Sequence, residues 1–297
     1  SREIGAPPIT GIGIGPLPDG GPLGLKYHNG DVTDFGFVSR VVSAARPEQV
    51  IHLAALTFGR PAGPEDQRFL TVNVQGTRVL LEALLAQGLR PRVLVASSSA
   101  VYGAAQDDPI TEDTPIHPQT LYAASKACQE LIAQTYQYGG GLEVIVTRAF
   151  NHTGPGEHEH FAASTFARQV AAAEAGRTEP VIRVGNLSAY RDFTDVRDIV
   201  RAYCAVLERG QAGAVYNVCS GRATQISELL DILLGMAKRP LTTEIDPARL
   251  APADVPYQRG SHERLTAATG WQPAIPLATT LADLLDYWRA REQGGRE

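Results

Sequence analysis

Residues 92–99, Arg-Val-Leu-Val-Ala-Ser-Ser-Ser, constrain the fold more than any other stretch. The apolar run is unbroken rather than alternating, which reads as a strand covered on both faces, as in a parallel sheet flanked by helices. Neighbouring segments fit the same plan. Residues 27–34 read as the end of a strand entering a helix, with Asp34 as its N-cap. Residues 35–46 form that helix, and 49–55 the next strand. Asn73-Val-Gln-Gly-Thr77 opens another helix, a further one runs over 121–137 between Thr120 and Gly139-Gly-Gly141, and 144–151 is again a strand. This alternation predicts an α/β fold with a doubly wound parallel sheet. Ligands collect at the carboxyl ends of such strands, where this one carries Ser97, Ser98 and Ser99.

Composition narrows the function classes. The chain has 297 residues, 43% hydrophobic and 20% charged, enough for one large domain or two interleaved ones. A net charge of −5 without a basic block argues against nucleic acid as a partner. No apolar run approaches the roughly 18 residues of a membrane helix, and no signal-peptide pattern opens the sequence, so a cytoplasmic location is expected. Cys128, Cys204 and Cys219 have no metal or redox spacing and read as buried, reduced thiols.

The first thirty residues contain thirteen Gly or Pro. Gly11-Ile-Gly13-Ile-Gly15 is not a dinucleotide loop: Pro7-Pro8 precede it, Pro16, Pro18 and Pro22 follow, and the third glycine is misplaced. A surface loop is expected there.

Tyr122-Ala-Ala-Ser-Lys126 places a phenol and an ammonium one helical turn apart on one face. A free phenol titrates near pH ~10; a nearby ammonium brings it closer to working range as an acid. Alone, the pair also fits a solvated helix face. With the serines some twenty residues earlier and Tyr102-Gly103 after them, it resembles the Ser-Tyr-Lys triad of the extended short-chain dehydrogenase/reductases, the NAD-dependent epimerase/dehydratase family. The resemblance implies a Rossmann-type sheet with a smaller α/β substrate domain. It makes Ser98, Tyr122 and Lys126 catalytic, Ser97 a structural neighbour and Ser99 a substrate contact.

The same resemblance implies cofactor contacts at Asp31 and Val32, beside the adenine; the alternative is a plain turn with a capping Asp. It implies contacts to ribose and pyrophosphate at Leu53, Ala54 and Ala55, whose small residues let the cofactor approach, and gives Asn73 a structural role. His52, in an apolar run, reads as a strand-end core histidine. A first βα unit with its Gly-rich turn is not visible before Asp31, and the expectation is that it is missing. Arg2 would then end the second strand and suit the 2′-phosphate of NADP. The cofactor is NADP or NAD.

Arg148-Ala-Phe-Asn-His-Thr-Gly-Pro-Gly156 narrows the resemblance to the GDP-4-keto-6-deoxymannose reductases, which more often carry Pro at Ala149 and Gln at Glu157. This implies substrate contacts at Asn151, Arg191 and Arg259. Arg191 beside Asp192 suits phosphate recognition, or equally an ion-paired strand end. His158-Glu-His160 lacks a third ligand nearby and reads as solvated surface, so no metal is expected. Asp195 is the N-cap of the helix that follows.

Dehydratases of the family carry an acid–base pair directly after the catalytic hydroxyl; Ser99 and Ala100 cannot act as one. The implied activity is NAD(P)H-dependent reduction of the 4-keto group of a nucleotide-linked 6-deoxyhexose, GDP-linked by preference. The alternatives are a 4-epimerase with tightly held NAD and, from another class, a catalytically silent nucleotide-sugar binder. Residues 1–152 with 194–222 are assigned to the dinucleotide and 153–193 with 223–297 to the nucleotide sugar. A homodimer through 74–87 and 121–137 is expected by analogy.

Overall fold

The computed structural model describes residues 8–17, 24–57, 67–250 and 255–294. The chain forms two units. Unit 1 holds the residues up to Ser97, Thr120–Val146 and Gln211–Ala214; unit 2 holds Ser98–Gln119, Thr147–Gly210 and the residues from Val215 on.

Unit 1 starts with β1 (Ile9–Gly13), paired in parallel with β2 (Leu25–Asn29) so that Gly13 faces Asn29. The surface loop expected here is therefore a strand. Its glycines explain why: a Cβ on Gly13 would lie 2.8 Å from the Tyr27 hydroxyl, so the bare backbone leaves room for that ring. The same hydroxyl donates to the Gly15 carbonyl at 2.9 Å. Ile9, Thr10 and Ile12 supply the strand propensity that the glycines lack.

After β2, Asp34 caps α1 (Phe35–Ala45) by accepting from the Phe37 N–H at 3.0 Å, as the sequence indicates. Parallel pairing of β3 (Gln49–His52) with β4 (Arg92–Ser98) sets His52 opposite Val95. Val93, Leu94 and Val95 are 0% exposed, so β4 is covered on both faces. Between these strands a helical run comprises α2 (Gln67–Phe69), a π-helical segment Leu70–Gln75 and α3 (Gly76–Ala86), which packs against α1. Thr120 caps α4 (Leu121–Tyr138), its hydroxyl accepting from Ala123 N–H at 3.1 Å. In unit 1 the strand order is β3, β4, then the first half of β5 (Glu143–Ala149); in unit 2 the rest of β5 lies beside β9 (Val215–Val218).

Unit 2 has its own sheets and core. β8 (Tyr190–Asp195) lies between β6 (Asn151–Thr153), to which it is parallel, and β10 (Ala223–Gln225), to which it is antiparallel. β7 (Val181–Val184) pairs with β11 (Thr242–Ile245). Helices α5 (Ala162–Glu174), α7 (Ile226–Gly235) and α9 (Leu277–Gly294) pack on one another, burying Phe166, Val170, Leu229, Leu233, Leu281 and Leu285. Asp195 caps α6 (Val196–Arg209) through Arg197 N–H at 2.7 Å, and α8 (Glu263–Thr269) packs against α6.

The thiols need a correction. Only Cys219 is buried; Cys128 is half-buried and Cys204 exposed, because Cys204 stands on the outward side of α6 with the exposed Val200 and Glu208. No described helix is long and apolar enough to cross a membrane.

Candidate active site

Tyr122 lies in the first turn of α4, its ring edge-on to Phe69 with centroids 6.0 Å apart. One turn on, Lys126 is buried. Its ammonium donates to the Ala96 carbonyl of β4 at 2.5 Å and to Gln129 Oε1 at 2.6 Å. Burial pulls the Lys126 pKa down to about 8, with the Glu130 carboxylate opposing the shift. So Lys126 is not a solvated surface charge. Behind it, Gln129 Nε2 donates to the Thr77 hydroxyl at 2.8 Å, which also meets His52 Nε2 at 2.9 Å. His52 is a core histidine as read, and burial beside Lys126 takes its pKa down to about 3.

Asn73 sits in the π-helical segment and ties unit 1 together. Its amide accepts from Leu56 N–H at 2.7 Å and donates to the Leu56 carbonyl at 3.1 Å and to Ser125 Oγ at 2.9 Å. It thus joins the segment after β3 to α4 at Ser125, three residues after Tyr122. The structural role inferred from resemblance has a direct geometric form.

The three serines differ. Ser97, in unit 1, donates to the Glu130 carboxylate and is buried, a structural position. Ser98 opens unit 2; half-buried, it accepts from Ala100 N–H at 3.2 Å and caps the short 3-10 turn Ser99–Tyr102. Ser99 is buried and donates to Gln258 Oε1 at 3.1 Å, while Gln258 Nε2 donates back to the Ser99 carbonyl at 3.2 Å. Tyr102 is fully buried; it donates to Asn217 Oδ1 at 2.7 Å and lies under the Arg148 guanidinium, 4.9 Å from its ring. At Gly103 a φ of 58° and the His117 carbonyl against the missing Cβ make glycine necessary.

On the cofactor side, Asp31 is exposed and accepts from Thr33 N–H and Oγ1, both at 2.8 Å, making a tight turn. Val32 is buried against Gly76, where a Cβ would come 2.7 Å from its methyl. Leu53 is 60% exposed just past β3, and Ala54 and Ala55 are half-buried. An apolar surface beside methyl-sized residues, together with a lysine that has one N–H left among the described residues after its two hydrogen bonds, fits a dinucleotide's sugar and pyrophosphate. Arg2 lies outside the described residues.

On the substrate side, all within unit 2, Asn151 is exposed at the start of β6. Arg191 donates to the Tyr190 carbonyl at 2.8 Å. Arg259 pairs with Asp108 at 2.7 Å, and the rings of Tyr190 and Tyr257 stand 5.8 Å apart. The rings of His158 and His160 are 4.6 Å apart at the surface, and no group of three metal-binding side chains occurs among the described residues.

Glu157 accepts from Thr153 Oγ1 at 2.7 Å. Burial pushes its carboxyl from 4.5 up to about 7, against that hydrogen bond. Folded Glu157 thus holds its proton more tightly than the unfolded chain. Its contribution to stability is full below about pH 4.5 and is lost as pH rises through about 7. Glu157→Gln is expected to match the parent near pH ~5 and to exceed it by about 2 kcal/mol near pH ~8.5, read as the difference in Tm between the two proteins.

Gln129, Thr77, Gln258 and Asp108 escaped the sequence reading. Gln129 was accessible, since i,i+3 spacing puts it beside Lys126 on one helix. Gln258 lies 159 residues from Ser99, and Arg259 lies 151 from Asp108; neither pairing leaves a local signal.

A family model described as GDP-mannose 4,6 dehydratase matches residues 21–284. The chain belongs to that family. Among family relatives, it is 40% identical over 247 residues to the GDP-6-deoxy-D-mannose reductase of Pseudomonas aeruginosa, covering 82% of this chain and 81% of that protein. It is 30% identical to the UDP-glucose 4-epimerase of Mycolicibacterium smegmatis, over 91% of this chain and 84% of the other. The structure of RMD from P. aeruginosa complexed with NADPH superimposes with a TM-score of 0.85 at 36% identity, covering 90% and 91% of the two chains. The relatives of this chain thus carry more than one activity.

Proposed function

We propose that the chain is an NAD(P)H-dependent reductase of the 4-keto group of a nucleotide-linked 6-deoxyhexose, of the GDP-4-keto-6-deoxymannose type. Tyr122 and the buried Lys126, one turn apart on α4, carry this reading. Ser99, buried and hydrogen-bonded to Gln258, and Ala100, without a polar group, leave no acid–base pair for dehydration. The 40% identity to a GDP-6-deoxy-D-mannose reductase supports the sugar nucleotide.

The bound reduced nicotinamide supplies a hydride to C4 of the sugar. The chain's own groups handle the oxygen. Ser98 donates a hydrogen bond to the 4-keto oxygen, and Tyr122 gives its proton to that oxygen as it becomes an alkoxide. Lys126, held charged in an apolar setting, lowers the cost of the phenolate left on Tyr122 and uses its remaining N–H on the ribose. Asn151, Arg191 and Arg259 hold the sugar and its diphosphate, with Arg259 exchanging Asp108 for phosphate.

Residues 1–152 with 194–222 serve the dinucleotide, and 153–193 with 223–297 the nucleotide sugar. The enzyme acts in the cytoplasm as a homodimer formed through 74–87 and 121–137. Incubated with GDP-4-keto-6-deoxymannose, it is expected to consume one NADPH or NADH per sugar; a 4-epimerase, the activity of the M. smegmatis relative, consumes none.

A further inference from the structure

We infer that Gln129 is a positioning residue of the hydride-transfer site: its amide oxygen, oriented by the Thr77 hydroxyl, holds the Lys126 ammonium in place one turn from Tyr122. The inference rests on the reductase reading for its kinetic consequence but not for its geometry.

Proton counting fixes every role in the network. A threonine hydroxyl has one hydrogen. Thr77 gives it to the Asn73 carbonyl at 2.5 Å. At its other two contacts Thr77 must therefore accept. Gln129 Nε2 donates at 2.8 Å, and His52, held neutral by burial, must carry its proton on Nε2 to donate at 2.9 Å. The Gln129 amide then has a single orientation. Turned over, it would present an oxygen to a hydroxyl with no proton left and an NH2 group to an ammonium. As it stands, Oε1 accepts from Lys126 Nζ at 2.6 Å. Gln129, Thr77 and Asn73 are all 0% exposed, so water cannot replace any of these bonds cheaply.

Two of the three Lys126 N–H groups are thus directed, to Ala96 and to Gln129, and the third has a defined direction. Among the described residues, the titratable and charged groups around Lys126 are few. Glu130 on α4 favours the ammonium, neutral His52 on β3 adds no charge, and Tyr122 is the phenol it serves. From α3 the uncharged Thr77 approaches through Gln129. With burial pulling Lys126 down to about 8, a lost acceptor moves its titration into the working range.

The chain has three lysines, Lys26, Lys126 and Lys238, so side-chain 15N labelling gives three ammonium signals, and Lys126→Met identifies the one of interest. Gln129→Met keeps the volume and removes both hydrogen bonds. It is expected to lower the Lys126 midpoint by about one pH unit, a tenfold change in the ammonium equilibrium. Gln129→Glu, which keeps an acceptor and adds charge, is expected to raise it. In turnover, the alkaline limb of kcat follows these shifts while KM for the sugar stays within about twofold. Should Gln129→Met not fold, Thr77→Val asks the same question, since it removes the group that orients the amide. An unchanged Lys126 midpoint in the folded variant overturns the inference. The NMR titration needs no turnover, so a parent enzyme that does not oxidise NADPH contradicts the reductase reading and leaves the Gln129 result to be judged separately.

Discussion

Tyr122→Phe is expected to lower kcat about a thousandfold while leaving NADPH and nucleotide-sugar binding within about twofold. A factor of that size corresponds to about 4 kcal/mol in the barrier, within the range for removing a general acid from a hydride transfer that leaves an alkoxide. The ring's packing survives the substitution: its edge-on contact with Phe69, centroids 6.0 Å apart, does not involve the hydroxyl. Lys126 also keeps its bonds to Ala96 and Gln129, neither of which passes through Tyr122. Pre-steady-state mixing separates the two effects, reading cofactor binding by fluorescence and hydride transfer by NADPH absorbance. A Tyr122→Phe enzyme that retains most of its activity is not using this phenol as its acid.

Asp192→Ala is expected to cost about 4 kcal/mol of stability, on the order of 10 °C in Tm, read by calorimetry. Asp192 is 0% exposed. Its carboxyl accepts from Ser220 N–H at 2.7 Å, Ser220 Oγ at 2.6 Å, Gly221 N–H at 2.9 Å and Gly260 N–H at 3.1 Å. Burial pushes its pKa up and the four donors pull it down, leaving it raised. Alanine strands those donors, three of them backbone groups. Gly260 is further confined, since a Cβ there would meet Phe150 at 2.6 Å and the Cys219 sulfur at 2.7 Å. The loop carrying Arg259 is thereby fixed by its neighbour. Loss of sugar-nucleotide binding is expected to accompany the lost stability in Asp192→Ala.

Asp192 also shows where a sequence stops informing. Arg191-Asp192 looks like a phosphate-binding or ion-paired couple. Yet the Asp turns inward to backbone donors from residues 220, 221 and 260, while Arg191 bonds the Tyr190 carbonyl. Alternation along β8 puts neighbours on opposite faces, but only tertiary packing says which donors wait on the inner face. Local signals fared better. Asp34, Thr120 and Asp195 cap the helices they precede, because capping depends on residues three or fewer apart. The buried strand at 92–98 was readable from its unbroken apolar run. The β1 strand was not, since its glycines suit a loop until Tyr27, fourteen residues beyond Gly13, covers them. Within the site, the Tyr122–Lys126 spacing was plain, whereas the burial that turns Lys126 from a surface charge into a tuned ammonium depends on β3, β4 and α3 closing around it.

Hydride destination tests the reductase assignment most directly. Purified enzyme is given NADPH deuterated at the transferred C4 position, with GDP-4-keto-6-deoxymannose, and the sugar is analysed by mass spectrometry and NMR. The expected result is one deuterium per sugar, at C4, with an equal amount of NADPH consumed. An unlabelled sugar still carrying its 4-keto group, with no NADPH consumed, would contradict it.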